Sequence, residues 1–360
     1  MDYLLTETQL EIQELARQIA DEKIRPVAAH HDETEEFPWG VMKVIADSDL
    51  FGVYIDEEYG GFGGGVMELA IATEEFSKAC GGIAVCYAAS ALGTYPIILF
   101  GNEDQKKKYL PDLASGKKLA AFGLTEPNAG SDVGGIETTA KKDGDHYVLN
   151  GTKCCITNGG EAEIYTVVAM TDKNKGARGA SCFIVEKGTP GFSFGKKEKK
   201  MGIRASATTE LIFEDCKIPK ENLLGREGFG FIVAMKTFDK SRPGVAAQAV
   251  GIAQGALDLA VQCAMDREQF GKPVASFQGL QFLMADMATQ LEAARSLVYA
   301  TARMVDAGNE KIAKESAMAK LFASDVAMKV TTEAVQICGG IGYMRDYPVE
   351  KYMQIGRAHV

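Results

Sequence analysis

The stretch "DHYVLNGTKCCITNG", Asp145 to Gly159, decides the fold, because here the apolar period changes from that of a helix to that of a strand. Alternation on both sides of Asn150-Gly151 predicts a hairpin, since Asn-Gly tolerates the positive φ values of a tight inter-strand turn. "IYTVVAM" (Ile164 to Met170), "ASCFIVE" (Ala180 to Glu186) and "TELIFEDCKI" (Thr209 to Ile218) read as further strands. They define a middle antiparallel, barrel-like β domain over residues 120–225.

Upstream the pattern is helical. In "TETQLEIQELARQIADEKI" (Thr6 to Ile24), Leu10, Leu15 and Ile19 repeat at helical spacing, and Thr6 with Gln9 forms a capping box. Asn102 predicts a second cap. "YGGFGGG" (Tyr59 to Gly65) is a loop, not a dinucleotide fingerprint, because it lacks the GxGxxG spacing. Downstream, Leu280, Leu283, Met284, Met287, Leu291, Leu297, Val298 and Val305 hold a helical stripe that Gly308 ends. The order is an α+β chain: a helical domain over 1–119, the β domain, and a helical bundle over 226–353.

The 360 residues suffice for more than one domain, and 46% hydrophobic with 24% charged residues is ordinary globular composition. A net charge of −10 argues against nucleic acid or an anionic membrane as partner. The basic run "GKKEKK" (Gly195 to Lys200) reads as a solvated loop. Eight scattered cysteines form no metal-ligand spacing and read as reduced, mostly buried thiols, so no metal and a cytoplasmic location are expected. No apolar run reads as a membrane span, and the N-terminus has no signal-peptide pattern.

Five short motifs could carry chemistry, and each also has a bland reading. "FGLTEPNAGSD" (Phe122 to Asp132) combines turn formers with the hydroxyls of Thr125 and Ser131, as an anion cradle or a surface turn would. "CCITNGG" (Cys154 to Gly160) presents Thr157 at a strand end. "DKSRPG" (Asp239 to Gly244) places an acid and two bases before a helical run, with Pro243 suited to its first turn. "REQFGKP" (Arg267 to Pro273) offers a guanidinium that could hold a phosphate or lie solvated. Paired glycines in "QICGGIGY" (Gln336 to Tyr343) could end a helix or admit a diphosphate.

Taken in order with "MGIRAS" and "AVQICGGIGYMRDYPVEK", these motifs span residues 124–351 and resemble the acyl-CoA dehydrogenases, closest to the bacterial butyryl-CoA (short-chain) type. The resemblance implies bound FAD, α,β-dehydrogenation of a short-chain acyl-CoA to the trans-2-enoyl-CoA, electron delivery to an electron-transferring flavoprotein, and a homotetramer. By position, Phe122, Leu124, Thr125, Gly130 and Ser131 line the flavin, with Ser131 also meeting CoA. Cys155, Ile156 and Thr157 pack on the isoalloxazine, and Cys155 replaces the aromatic of many members. Arg267, Phe270 and Gln278 correspond to residues reaching a neighbouring subunit's FAD, whose diphosphate and ribityl region Gln336, Ile337, Cys338, Gly339 and Gly340 line. Asp239, Lys240, Ser241 and Arg242 match the stretch beside CoA. Tyr87 lies on the helix that lines the acyl pocket in relatives, where it would either shorten the pocket or serve helix packing.

The family's chemistry needs a carboxylate to take the α-proton. In short-chain members it is a glutamate in "YEGT", soon after "YPVEK"; some relatives carry it at the position of Ser241. Neither is present here. The final "IGRAHV" (Ile355 to Val360) is what a common sequencing adapter encodes in one frame, so residues 354–360 are expected to be a non-native tail and the base to lie beyond Met353. Rival readings are an acyl-CoA oxidase, an enoyl-CoA-reducing relative, and a non-catalytic flavin-binding protein of the same fold.

Overall fold

Asn150 and Gly151 lie inside a strand rather than at a hairpin turn. The computed structural model describes residues 3–354. In it β3 (His146–Thr157) runs unbroken through the pair, and β2 (Thr139–Asp143) joins it across a turn at Gly144, φ 59°. Gly151 instead marks an irregularity in the pairing of β3 with β7 (Thr208–Pro219), where its φ of 140° sits against Thr138. Asn150 is still used: its side chain bonds the Asp215 backbone at 2.8 Å. The tail expected at 354–360 lies outside the described residues apart from Gln354.

Six helices precede the sheet: α1 (Glu7–Ile19), α2 (Ala28–Thr34), α3 (Trp39–Asp47), α4 (Val66–Ala79), α5 (Gly81–Phe100) and α6 (Glu103–Ala114). The capping box of Thr6 with Gln9 opens α1, and Asn102 caps α6. The buried face of α1 is not the expected one. Ile12, Ala16 and Ile19 face the core, whereas Leu10 is 52% exposed and Leu15 is also exposed.

The β domain continues with β1 (Ala120–Gly123), β4 (Ile164–Met170), β5 (Ala180–Glu186), β6 (Phe192–Phe194) and β8 (Leu223–Leu224). Strand order is β6-β7-β3-β2-β4-β5-β8, with β1 paired to β4. The expectation of a wholly antiparallel sheet fails at two pairings: β2 meets β4 in parallel at Thr139 and Met170, and β1 runs parallel to β4, which aims its end, and the following loop, past the end of β3. β1 can lie there because α5 approaches at Gly93, where a Cβ would stand 2.5 Å from the Ala121 nitrogen. In the basic run, Lys196 and Lys199 are exposed, but Lys200 turns inward and donates to the Ser206 carbonyl at 2.7 Å.

The chain then forms α7 (Gly230–Asp266), a ribbon of β9 (Glu268–Gln269) and β10 (Lys272–Pro273), α8 (Gln278–Asp306), α9 (Ala313–Cys338) and α10 (Val349–Met353). Pro243 lies well inside α7, not in its first turn, so "DKSRPG" is a helix interior rather than a cap. Contrary to the sequence reading, α5 and α7 are long and apolar enough to cross a membrane by length and composition. Most of both is buried within the fold, which explains the apolarity as core packing. α7 meets α4 at Gly251, where a Cβ would lie 2.2 Å from the Glu74 carbonyl oxygen.

Candidate functional site

Two separate groups of the sequence-selected residues emerge. The first forms at the end of β1, where Phe122 packs edge-to-face on Phe238 of α7, ring centroids 5.8 Å apart. The loop that follows is tied to β3: the Cys154 N–H donates to the Thr125 carbonyl at 2.9 Å. Beneath it lies a buried ion pair that the sequence reading missed. Lys153 Nζ donates to Glu126 Oε1 at 2.6 Å and to the Leu124 carbonyl at 3.0 Å. Glu126 also accepts the backbone N–H groups of Glu137 (2.5 Å) and Thr138 (3.0 Å). Burial alone would raise the Glu126 carboxyl, but Lys153 and these donors hold it below its ordinary value. Burial pushes Lys153 down, against the pull of Glu126. The Glu126 carboxylate thus fixes two backbone amides and Lys153 one loop carbonyl, leaving Gly130 and Ser131 exposed at the tip.

β3 ends in a bulge. Between Lys153 and Ile156 its pairing with β7 slips by one residue, and Cys155 takes a left-handed φ of 58°. This turns Cys155 outward and exposed beside half-buried Thr157, while Ile156 is buried. Asn158, φ 62°, is buried and anchors the strand end to α5 through the Cys86 carbonyl at 2.8 Å. The wall formed by Phe122, Leu124, Thr125, Cys155 and Thr157 is therefore held from below by Lys153 and Glu126 and from the side by α5.

On α7, Asp239 and Arg242 pair at 3.4 Å, and Ser241 is buried. Lys240 points elsewhere: its ammonium lies 5.8 Å from the Tyr95 ring and lines a different cavity of about 530 Å³ with Arg303 and Asp306. Tyr87 does not face the site either. It is fully buried against Phe51 and Phe76, and its hydroxyl donates to the Leu50 carbonyl at 2.8 Å. The half-buried stripe of α5 is Val85, Ala88 and Leu92, which the alternation of small and large residues in "GGIAVCYAASALGTYPI" could have suggested.

The second group lies at the far end of α7. Arg267 ends that helix and donates to the Cys338 carbonyl at 3.4 Å. It lines a cavity of about 550 Å³ with Cys263, Asp266, Gly340, Ile341 and Tyr347. Gly339, φ 62°, ends α9 so close that a Cβ there would sit 2.8 Å from Arg267 Nη1. Ile337 and Cys338 are buried and do not line this cavity, whereas Gln336 and Gly340 are exposed. Phe270, 91% exposed, sits at the ribbon turn with φ 55°, and Gln278 opens α8, also exposed. From Phe238 to the end of α7 the 1.5 Å rise per residue sets a separation of roughly 40 Å. One chain does not bring the two groups together. Among the described residues no cluster of three or more His, Cys, Asp or Glu side chains is placed to hold a metal.

A helical domain, a β domain and a second helical domain, with a wall at the β1–β3 ends and a cation-and-glycine cavity at the C-terminal helices, define the three-part fold of an acyl-CoA dehydrogenase. The family models agree: acyl-CoA dehydrogenase N-terminal, middle and C-terminal domains match residues 6–117, 121–216 and 228–359. The chain belongs to the acyl-CoA dehydrogenase family, oxidoreductases whose members are FAD-dependent flavoproteins. It is 50% identical over 355 residues to a short-chain-specific acyl-CoA dehydrogenase of Clostridium acetobutylicum, covering 98% of this chain and 93% of that one. It is 51% identical over 353 residues to an acryloyl-CoA reductase (NADH) of Anaerotignum propionicum, covering 98% and 89%. A chain in a solved structure of the electron transferring flavoprotein of Acidaminococcus fermentans, directed at flavin-based electron bifurcation, superposes with a TM-score of 0.96 at 51% identity, covering 98% of this chain and 93% of that one.

Proposed function

We propose that this protein binds FAD and dehydrogenates a short-chain, butyryl-CoA-like thioester to its trans-2-enoyl product, passing electrons to an electron-transferring flavoprotein. The observation that carries the reading is the wall at Phe122–Thr125 and Cys155–Thr157, pinned from beneath by Lys153 and Glu126. Its chemistry fits a flavin: the Thr157 hydroxyl at the strand end beside the apolar side chains of Phe122 and Leu124. The second cavity fits the diphosphate end, because Arg267 stands over side-chain-free Gly339 and Gly340. Since roughly 40 Å separates the two along α7, the diphosphate end of one FAD is held by a second copy of the chain. A homotetramer built from such pairs, residing in the cytoplasm with its thiols reduced, completes the reading.

Bound FAD would supply the two-electron acceptor for the hydride leaving the substrate β-carbon. The residues of this chain orient and exclude water. Phe122 and Phe238 close the apolar side, and Val85, Ala88 and Leu92 of α5 line the acyl pocket. Ser131 and Arg242 meet the CoA portion, Arg242 being positioned by Asp239. Among the described residues α7 supplies no free carboxylate at the reacting end, since Asp239 is paired and Ser241 offers only a hydroxyl.

Anaerobic titration of the FAD-loaded protein with butyryl-, hexanoyl- and octanoyl-CoA tests the substrate. Tightest binding of the four-carbon ester is expected, and a preference for octanoyl-CoA overturns the short-chain assignment. The similarity to an acryloyl-CoA reductase favours a second reading, in which the same site runs toward the saturated thioester. NADH consumption dependent on both acryloyl-CoA and an electron-transferring flavoprotein would select it.

A further inference from the structure

Cys80 occupies a junction that the flavin chemistry does not use. It ends α4 and caps α5 with extended backbone, φ −161° and ψ 110°, and is 2% exposed. The Lys351 ammonium reaches it from α10 and stands 3.3 Å from the Cys80 sulfur. The next residue holds α10 in place: the Tyr352 hydroxyl donates to the carbonyls of Lys78 at 2.5 Å and Ala79 at 3.2 Å. A cavity of about 10 Å³ adjoins the pair, bounded by Gly81, Gly82 and Ile203. That is the room of about one water.

Two positive groups face the sulfur. Lys351 faces it from α10, and the N-terminus of the 20-residue α5 presents its positive end. Asp32 also borders the cavity, but its carboxylate is held by Arg204. A cation and a helix N-terminus are the surroundings in which a thiol reacts with peroxide, whereas an ordinary buried cysteine is inert. An oxidised sulfur here would have an amine as its nearest nucleophile, on a flexible four-carbon stem.

We propose that Cys80 and Lys351 form an oxidative cross-linking pair, in which hydrogen peroxide converts the thiol to a sulfenic acid and the Lys351 amine closes a sulfur–nitrogen bond. In the first step a sulfur–oxygen bond forms, the peroxide oxygen–oxygen bond breaks, sulfur gives up two electrons, and one water leaves. In the second the nitrogen lone pair attacks sulfur and the hydroxyl departs as a second water with one amine proton. The remaining ammonium proton passes to solvent. Thiol, ammonium and one peroxide thus give the sulfenamide, two waters and one proton. The bond staples the C-terminal segment to the α4–α5 junction, 271 residues away in sequence, and a thiol reductant reverses it.

The test treats the full chain loaded with FAD with hydrogen peroxide, digests it without reduction and maps it by mass spectrometry. A linked pair of peptides carrying Cys80 and Lys351, two hydrogens lighter than their sum and released by dithiothreitol, is expected. In Lys351→Arg, which keeps the charge but cannot condense, dimedone should capture Cys80 as the sulfenic acid several-fold more than in the unaltered protein. Equal dimedone capture in both, or a Cys80 still free for alkylation once exposed Cys155 is fully oxidised, overturns the proposal. The unaltered protein alone supplies the second of these outcomes, whatever the variant does to folding.

Discussion

Lys153→Met removes the cation from beneath the wall and leaves Glu126 buried with only the Glu137 and Thr138 amides as donors. Breaking a buried pair from one side typically costs about 3–5 kcal/mol, and the two retained amide bonds put this case at about 3 kcal/mol. If that energy is lost locally, opening of the loop rises by roughly 100-fold, because each 1.4 kcal/mol is about tenfold. Hydrogen exchange at the amides of Glu137 and Thr138 reads it directly. The double variant Lys153→Met with Glu126→Gln should fall short of the summed single effects by at least about 1 kcal/mol, since glutamine keeps an acceptor for both amides. Acid response supplies an independent check. The depressed folded value of Glu126 means its stabilisation is present above the ordinary carboxylate range near about pH 4 and is lost as pH falls through the lower folded value. Without Lys153 that loss must begin at higher pH. Unchanged exchange at both amides in Lys153→Met, or additive single effects, would refute the pinning argument.

Four other outcomes follow. Tyr87→Phe should cost about 1 kcal/mol through its bond to Leu50, seen in the thermal midpoint, and leave acyl-chain preference unchanged. Ala88→Leu should weaken hexanoyl-CoA binding more than butyryl-CoA binding in calorimetric titration, because it fills the half-buried stripe of α5. Cys155→Trp restores an aromatic at an outward-facing position whose left-handed φ is already borne by a non-glycine residue; stacking worth about 1 kcal/mol predicts a roughly fivefold lower FAD Kd by flavin fluorescence. Gly251→Ala should cost about 1–3 kcal/mol in thermal stability by forcing α7 off the Glu74 carbonyl.

The domain order was legible because each period spans many residues: four buried strands and long amphipathic helices average out local error. Single-residue features were less so. The Asn-Gly pair mimics a hairpin locally, yet tertiary pairing with β7 keeps β3 straight through it, and the Asp143–Asp145 turn does the work instead. Leu10 and Leu15 fit a helical stripe, but the face buried against α4 is the one through Ile12 and Ala16. Gly339 was legible as a helix end because backbone conformation carries that role. Site residues were missed where a buried charge acts through a partner distant in sequence. Lys153 reads as a polar residue of an alternating strand, and nothing local says that its register points it at Glu126.

The placement of Arg267 turns these details into a statement about assembly. Its cavity, lined also by Gly340 and Ile341, is the proposed diphosphate site but lies at the far end of α7 from Phe122 and Thr157. Around it Met265, Phe270, Phe282, Ile341, Tyr343 and Met344 are all exposed, an apolar rim unusual beside a polar cavity. The continuous 37-residue helix α7 holds the two groups apart within one chain. Each feature follows if the rim packs against a second copy, so that the cation of one chain meets the wall of another. Flavin affinity then depends on protein concentration: dilution below the subunit dissociation constant should release FAD, whereas a self-sufficient monomer would retain it.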